Sequence, residues 1–244
     1  MKGIIQKASL VGCTAVLALA VAGCSSGSET EGQSDAAGAP GQTESAQGSA
    51  GQREEAKNEV VVVESGWSVD DQGYVHYGIV LENEGDMAAM FPAVKITGKD
   101  ADGNVVSSDE QILMGLKPGQ RVAWAGQAGT GTAPATVEFG VNVSESSWQK
   151  AEAAEDAFEI SGTTAQESGF GTVNFVGEIT SLLEDEDLGM VAVSVLLRDG
   201  SGAIVGGYSG FVNNLAAGST TSFDVLGYGV PAYETFEVFA QSWT

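Results

Sequence analysis

Apolar and polar positions divide the chain into three textures. From Ala8 to Gly23 the residues are almost all apolar, rich in Ala, Leu and Val. From Ser25 to Lys57 there is no Val, Ile, Leu, Met, Phe, Tyr or Trp. From Val60 onward, short apolar runs alternate with Gly, Asp, Asn and Pro. Runs of this kind predict β-strands joined by turns, at the spacing of a β-sandwich. The alternation is cleanest in Val173-Asn174-Phe175-Val176-Gly177-Glu178-Ile179-Thr180, where the odd positions point inward. One stretch breaks the β texture. Trp148 to Glu155 holds good helix formers behind several Ser residues, which predicts a short helix or a stiff connector.

The β texture repeats. At an offset of 99 residues, Gly78 meets Gly177, Val94 and Ile96 meet Val193 and Val195, and Asp100 meets Asp199. Leu116 and Gly119 then meet Leu215 and Gly218, and Trp124 meets Phe223. After a two-residue deletion Pro134-Ala135 meets Pro231-Ala232, and beyond it Phe139 meets Val238. The matched positions are core-type apolar residues and turn glycines, those that a shared fold requires. The expected organisation is a first domain over 58–147, a connector over 148–154 and a second domain over 155–244. Carried across the offset, the inward face of the second copy places Tyr74, His76, Gly78 and Val80 inward in the first. The opposite face, Val75, Tyr77, Ile79 and Leu81, is then apolar as well. A strand apolar on both faces needs something on each side, so this face is expected to meet the second copy or a partner.

The amino terminus reads as export machinery. Lys2 and Lys7 precede the apolar run, which is shorter than the roughly 20 residues of a membrane span and ends in Val21-Ala22-Gly23-Cys24. That tetrapeptide resembles a lipobox. The resemblance implies a signal peptide over 1–23, removed before Cys24, whose thiol carries a lipid anchor. The polar stretch 24–57 then acts as a flexible linker, because it cannot bury enough apolar surface to offset the entropy of ordering. As a coil it would reach about 30 Å, and fully extended about 110 Å.

Charge and cysteine content narrow the chemistry. Losing Lys2 and Lys7 takes the formal charge from −23 to −25. A surface of that sign repels nucleic acid and anionic polymers and favours cations and basic partners. Cys13 lies within the removed segment, so the mature chain keeps only the lipidated Cys24. That excludes an internal disulfide, cysteine catalysis and Cys/His metal centres.

The repeated unit also resembles the FxLYD domains of bacterial lipoproteins. Its pieces are Gly177, Val195-Leu196-Leu197-Arg198-Asp199-Gly200 and Leu215-Ala216-Ala217-Gly218, with Gly78, Ile96-Thr97-Gly98-Lys99-Asp100 and Leu116-Lys117-Pro118-Gly119 in the first copy. The Phe of the motif is Ile96 or Val195, its Leu survives as Leu197, its Tyr is Lys99 or Arg198, and the Asp is kept in both copies. The resemblance implies an all-β fold of two tandem Ig-like sandwiches in the cell envelope, and it brings no catalytic residue with it.

The remaining candidates read mostly as structure. His76 is the only histidine and falls on a strand position that Phe175 fills in the second copy. Gly207-Tyr208-Ser209-Gly210 lacks the spacing of a nucleophile elbow. Asp100-Ala101-Asp102-Gly103-Asn104 opens like a calcium loop, but the sixth and twelfth positions are Val105 and Gln111. Asp199-Gly200-Ser201-Gly202 stands in the same place, so a Gly-containing turn accounts for both. Glu184-Asp185-Glu186-Asp187 reads as a solvated loop that attracts cations by charge. Acids are too abundant for any pair to stand out as a glycosidase dyad. Trp124 aligns with Phe223 and reads as core. Trp148 and Trp243 each follow the last strand of their copy, and Trp67 is the best exposed aromatic.

These readings point to a non-enzymatic binding or interaction module, lipid-anchored on the extracytoplasmic face of the cell membrane. No catalytic residue, metal or cofactor is assigned. The partners expected are the membrane, through Cys24, and an envelope protein or cell-wall component, not nucleic acid. The alternative is a structural spacer or an accessory subunit of an envelope complex.

Overall fold

The computed structural model describes residues 58–169 and 171–243. The signal peptide, Cys24 and the linker expected over 1–57 lie outside the described residues.

The fold is all-β, with no α-helix among the described residues. The first repeat contains β1 (Val60–Val69), β2 (Val75–Asn83), β3 (Ala88–Met90), β4 (Ala93–Lys99), β5 (Val105–Ile112), β6 (Gly115–Leu116), β7 (Arg121–Ala128), β8 (Thr136–Asn142) and β9 (Trp148–Gln149). The second contains β10 (Phe158–Glu167), β11 (Thr172–Ser181), β12 (Leu188–Arg198), β13 (Ile204–Leu215), β14 (Thr220–Tyr228) and β15 (Thr235–Ser242). The main sheets have the orders β1-β2-β7 and β5-β4-β8 in the first repeat, and β10-β11-β14 and β13-β12-β15 in the second. Each antiparallel pairing within these main sheets has its counterpart in the other repeat.

Three apolar clusters separate these four sheets. The first lies between β5-β4-β8 and β1-β2-β7, with Val94 and Ile96 from one side and Tyr77, Ile79, Leu81 and Trp124 from the other. The second fills the equivalent space in the second repeat with Phe175, Ile179, Val193, Val195 and Phe223. The third joins the repeats, setting Val80, Ala123 and Ala125 against Leu196 and Ile204. The result is a stack of four layers in which the second and third layers belong to different repeats.

The expected facing of β2 is corrected by this arrangement. Val75, Tyr77, Ile79 and Leu81 form the first repeat's own core, while His76, Gly78 and Val80 face the second repeat. The cause is a one-residue slip. Ile79 pairs with Trp124, and Gly177 pairs with Phe223. Ile79, not Gly78, is therefore the counterpart of Gly177, and the offset in this strand is 98. From Ala89 and Leu188 onward it is 99, because those residues pair with Leu116 and Leu215. The second repeat thus has one extra residue between β11 and β12, within the acidic loop. With a side-chain period of two, a one-residue error exchanges the faces of the whole strand. The need for packing on both sides holds: every residue from Val75 to Leu81 is buried. Full burial of a side chain the size of Ile79 or Leu81 contributes about 1.5–3 kcal/mol.

The connector is not helical. A single 3₁₀ turn spans Glu145–Ser147, and β9 pairs Trp148 with Ala89. The residues 150–157 carry no regular structure. An eight-residue Ala/Glu stretch is too short to offset the cost of helix nucleation on its own, and strand pairing has already taken Trp148 and Gln149.

Candidate functional site

The densest polar chemistry sits between the repeats. The turn from β1 to β2 is closed by Asp70, whose Oδ1 accepts the N–H groups of Gln72 and Tyr74, both at 2.9 Å. Its Oδ2 lies 3.0 Å from Nε2 of His76. Partial burial opposes ionisation of Asp70, but the imidazole and the two amides outweigh it and hold the carboxyl below its usual value. His76 is buried, and its ring lies over that of Tyr208, with centroids 5.0 Å apart. The Tyr208 hydroxyl donates to the Tyr228 carbonyl at 2.9 Å. Burial, reinforced by the Asp70 charge, pushes its pKa up. Ser68 stands opposite His76 in the β1–β2 register, and its buried Oγ makes no hydrogen bond within the described residues. Ser209 stands two residues from Gly207 in the middle of β13, so the geometry of a strand–turn–helix elbow is absent there.

A second cluster centres on Arg198 at the end of β12. Its Nη1 donates to Glu64 Oε2 at 2.7 Å and to the Gly202 carbonyl at 2.8 Å, and its Nε donates to Glu237 Oε2 at 2.7 Å. Glu64, on β1, also pairs with Arg121 of β7. The Arg198 bond leads the effects that lower the Glu64 pKa. For Arg198 itself, desolvation works against the charge, but the two carboxylates overcome it and raise its pKa. Sequence reasoning missed this clamp, although a signal existed. Lys99 and Glu138, each 99 residues earlier, form the same cross-strand pair at 2.6 Å. Only the second-repeat version reaches across to the other repeat.

The calcium-like loops resolve into turns. Asp100 Oδ1 accepts the N–H groups of Asp102 and Asn104 at 3.0 and 2.8 Å. Asp199 Oδ1 does the same for Ser201 and Ala203, at 2.9 and 3.0 Å. Side-chain bonds from Asn104 and Ser201 are the main cause of the lowered carboxyl pKa in each turn, with the backbone amides adding to it. These oxygens aim at backbone donors, which explains why the Asp recurs in both repeats. In the acidic loop, Asp187 Oδ1 accepts the N–H of Ala217 at 2.9 Å. Among the described residues, no group of three His, Cys, Asp or Glu side chains is placed to hold a metal ion. Nor is any helix among them long and apolar enough to cross a membrane.

The tryptophans pack on the first repeat. Trp124 is buried, and Trp67 and Trp148 are partly buried against the same core. Trp67 is therefore less available for sugar stacking than expected. Trp243 crosses between repeats and stacks on Trp124, with ring centroids 4.8 Å apart. Asn83, also missed, is fully buried; its amide donates to the carbonyls of Met87 and Leu116 and accepts from Gly85 N–H.

What stands out on the surface is an apolar end of the first repeat. Phe91 is 53% exposed and has φ of 53°, and Ile112 is 50% exposed. The Phe91 N–H donates to the Met114 carbonyl, and the next rungs join Pro92 to Leu113 and Ala93 to Ile112. Met90 and Met114 are partly exposed beside them. A bulky residue in the left-handed region costs of order 1–3 kcal/mol, and such strain gathers at binding sites. No protein-family model matches the chain, and a search of curated proteins finds no match.

Proposed function

We propose that the protein is a lipid-anchored cell-envelope module of two Ig-like sandwiches, working by contact with a partner and not by catalysis. The observation that carries this reading is the Phe91–Ile112 end, where a strained backbone holds a large aromatic in solvent beside another apolar residue and two methionines. Isolated exposed apolar side chains are ordinary, but adjacent ones with a strained support are typical of contact surfaces. Anchoring through Cys24 would hold this head at the extracytoplasmic face, with an envelope protein or a cell-wall component as partner. A diacyl group gives stable attachment where a single acyl chain is marginal.

Two measurements test the reading. Metabolic labelling with palmitate should mark the wild type and not Cys24→Ala; labelling of both, or neither, overturns the anchor. Crosslinking in intact envelopes should join the head to a discrete partner, and Phe91→Ser with Ile112→Ser should abolish that product. A product unaffected by the double variant removes the proposed contact surface.

The spacer reading is favoured by a different observation, the four-layer stack itself, which joins the repeats through an apolar layer and a partly buried ion-pair clamp. If an unrelated rigid domain of similar length replaces 58–244 without loss of envelope function, the spacer reading is the right one.

A further inference from the structure

We propose that the segment 150–156 is a proteolytic processing site, and that cleavage at Lys150 yields a two-chain protein whose repeats stay assembled. The inference stands apart from the anchoring of Cys24. Residues 150–156 belong to no strand or helix, and all but Ala154 are exposed. Small and polar side chains in an exposed, unpaired segment are the preferred context for nicking.

The other basic residues of the described chain are protected by their settings. Lys95 and Lys99 lie in β4, Arg121 in β7 and Arg198 in β12. Lys117 sits in a closed turn, where its N–H donates to Gln120 Oε1 at 2.8 Å and its carbonyl accepts from Gln120 N–H at 3.0 Å. Lys150 alone, among the described residues, stands in an unpaired stretch. An endopeptidase of basic specificity would add water across the Lys150–Ala151 amide, leaving a carboxylate on Lys150 and an ammonium group on Ala151.

No strand is lost by that cut. Trp148 and Gln149 stay paired with β3, and the second chain begins ahead of β10 at Phe158. The repeats remain joined by the apolar layer between the central sheets, by Arg198 on Glu64, by the Gln241 amide donating to the Gly115 carbonyl at 3.0 Å, and by Trp243 on Trp124.

The test is limited trypsin digestion of the full chain under native conditions, followed by mass spectrometry and size exclusion. Within 58–244, cleavage after Lys150 is expected at least about tenfold faster than at any other Lys or Arg, because those sites require opening of a strand or, at Lys117, of a hydrogen-bonded turn. The two fragments should co-elute in native buffer and separate in denaturant. Lys150→Gln should remove the cut without changing the elution of the intact chain. Earlier cleavage within a strand, or persistence of an intact 58–244 core, overturns the site. Native separation of the fragments overturns the assembled two-chain form.

Discussion

Gly207 of β13 lies so close to Ala125 of β7 that a Cβ on the glycine would sit 2.8 Å from the alanine Cβ. The same atom would lie 2.7 Å from the Val195 carbonyl oxygen and 3.1 Å from that of Tyr77. Backbone occupies two of the three contacts, so nothing flexible can yield. Gly207→Ala is therefore expected to destabilise the protein by about 1–3 kcal/mol through overpacking, and Gly207→Val by more. Gly140→Ala is the control, since a Cβ there meets nothing within 4 Å. Thermal unfolding checks the pair; equal midpoints for Gly207→Ala and Gly140→Ala would sink the close-approach argument.

Arg198 and Lys99 occupy equivalent positions with unequal duties. Arg198→Ala leaves Glu64 and Glu237 without their shared guanidinium and is expected to cost about 1–3 kcal/mol. Lys99→Ala removes an exposed pair of the kind that contributes roughly 0.2–1 kcal/mol. Arg198→Lys should fall between the two, because an ammonium cannot present the planar fork that serves both carboxylates. Urea titration of the three variants decides the order.

Val80 faces the second repeat, and its counterpart at the 98-residue offset, Glu178, is exposed. Val80→Glu should cost more than about 3 kcal/mol, because it places an unpaired carboxylate in an apolar layer. The reverse change, Glu178→Val, touches only solvent and should leave stability within about 0.5 kcal/mol. Comparable losses in calorimetry would show the assignment of faces to be wrong.

Asp70 supplies one part of the pH dependence, beside the lowered carboxyls of Glu64, Asp100 and Asp199. Its carboxyl has a folded-state pKa below the reference value of 3.8. The stabilisation is thus complete well above that reference and is lost as pH falls through the lowered folded-state value. Asp70→Ala, which removes three hydrogen-bond contacts, is expected to cost about 2 kcal/mol at neutral pH. The difference between wild type and variant should narrow below about pH 4. A difference that stays constant down to pH 2 would rule out the ionised carboxylate as its source.

The strand alternation, the turn carboxylates and the repeat were legible in the sequence because each rests on local chemistry. An Asp two residues ahead of the amide it accepts can be read from neighbours alone. The facing of β2 was not legible in that way. A gapless offset matched Gly78 to Gly177 because both are glycine, and the extra residue sits in a loop that carries acids in both repeats, Glu84 and Asp86 in the first and Glu184 to Asp187 in the second, so residue types do not locate it. Once that residue is counted, Tyr77 meets Phe175 and Leu81 meets Ile179. The candidate surface was less legible still. Phe91 reads as one more apolar residue until its backbone conformation and exposure are known. Trp243 could be expected to pack at the end of its own repeat, and nothing local reports that it crosses to Trp124.

The contact between the repeats joins unlike faces, a sheet of the β1-β2-β7 kind against one of the β13-β12-β15 kind. Such a head-to-tail union has no symmetry that closes it, and each added molecule would present a fresh face to the next. At the two outermost faces most counterparts of the joining residues are polar or small, although Val105, the counterpart of Ile204, is apolar and exposed. Val80 and Ala125 become Glu178 and Asp224 at one end; Leu196 and Phe239 become Thr97 and Gly140 at the other. Apolar side chains restored at both ends would give each molecule two complementary faces, the condition for open-ended association.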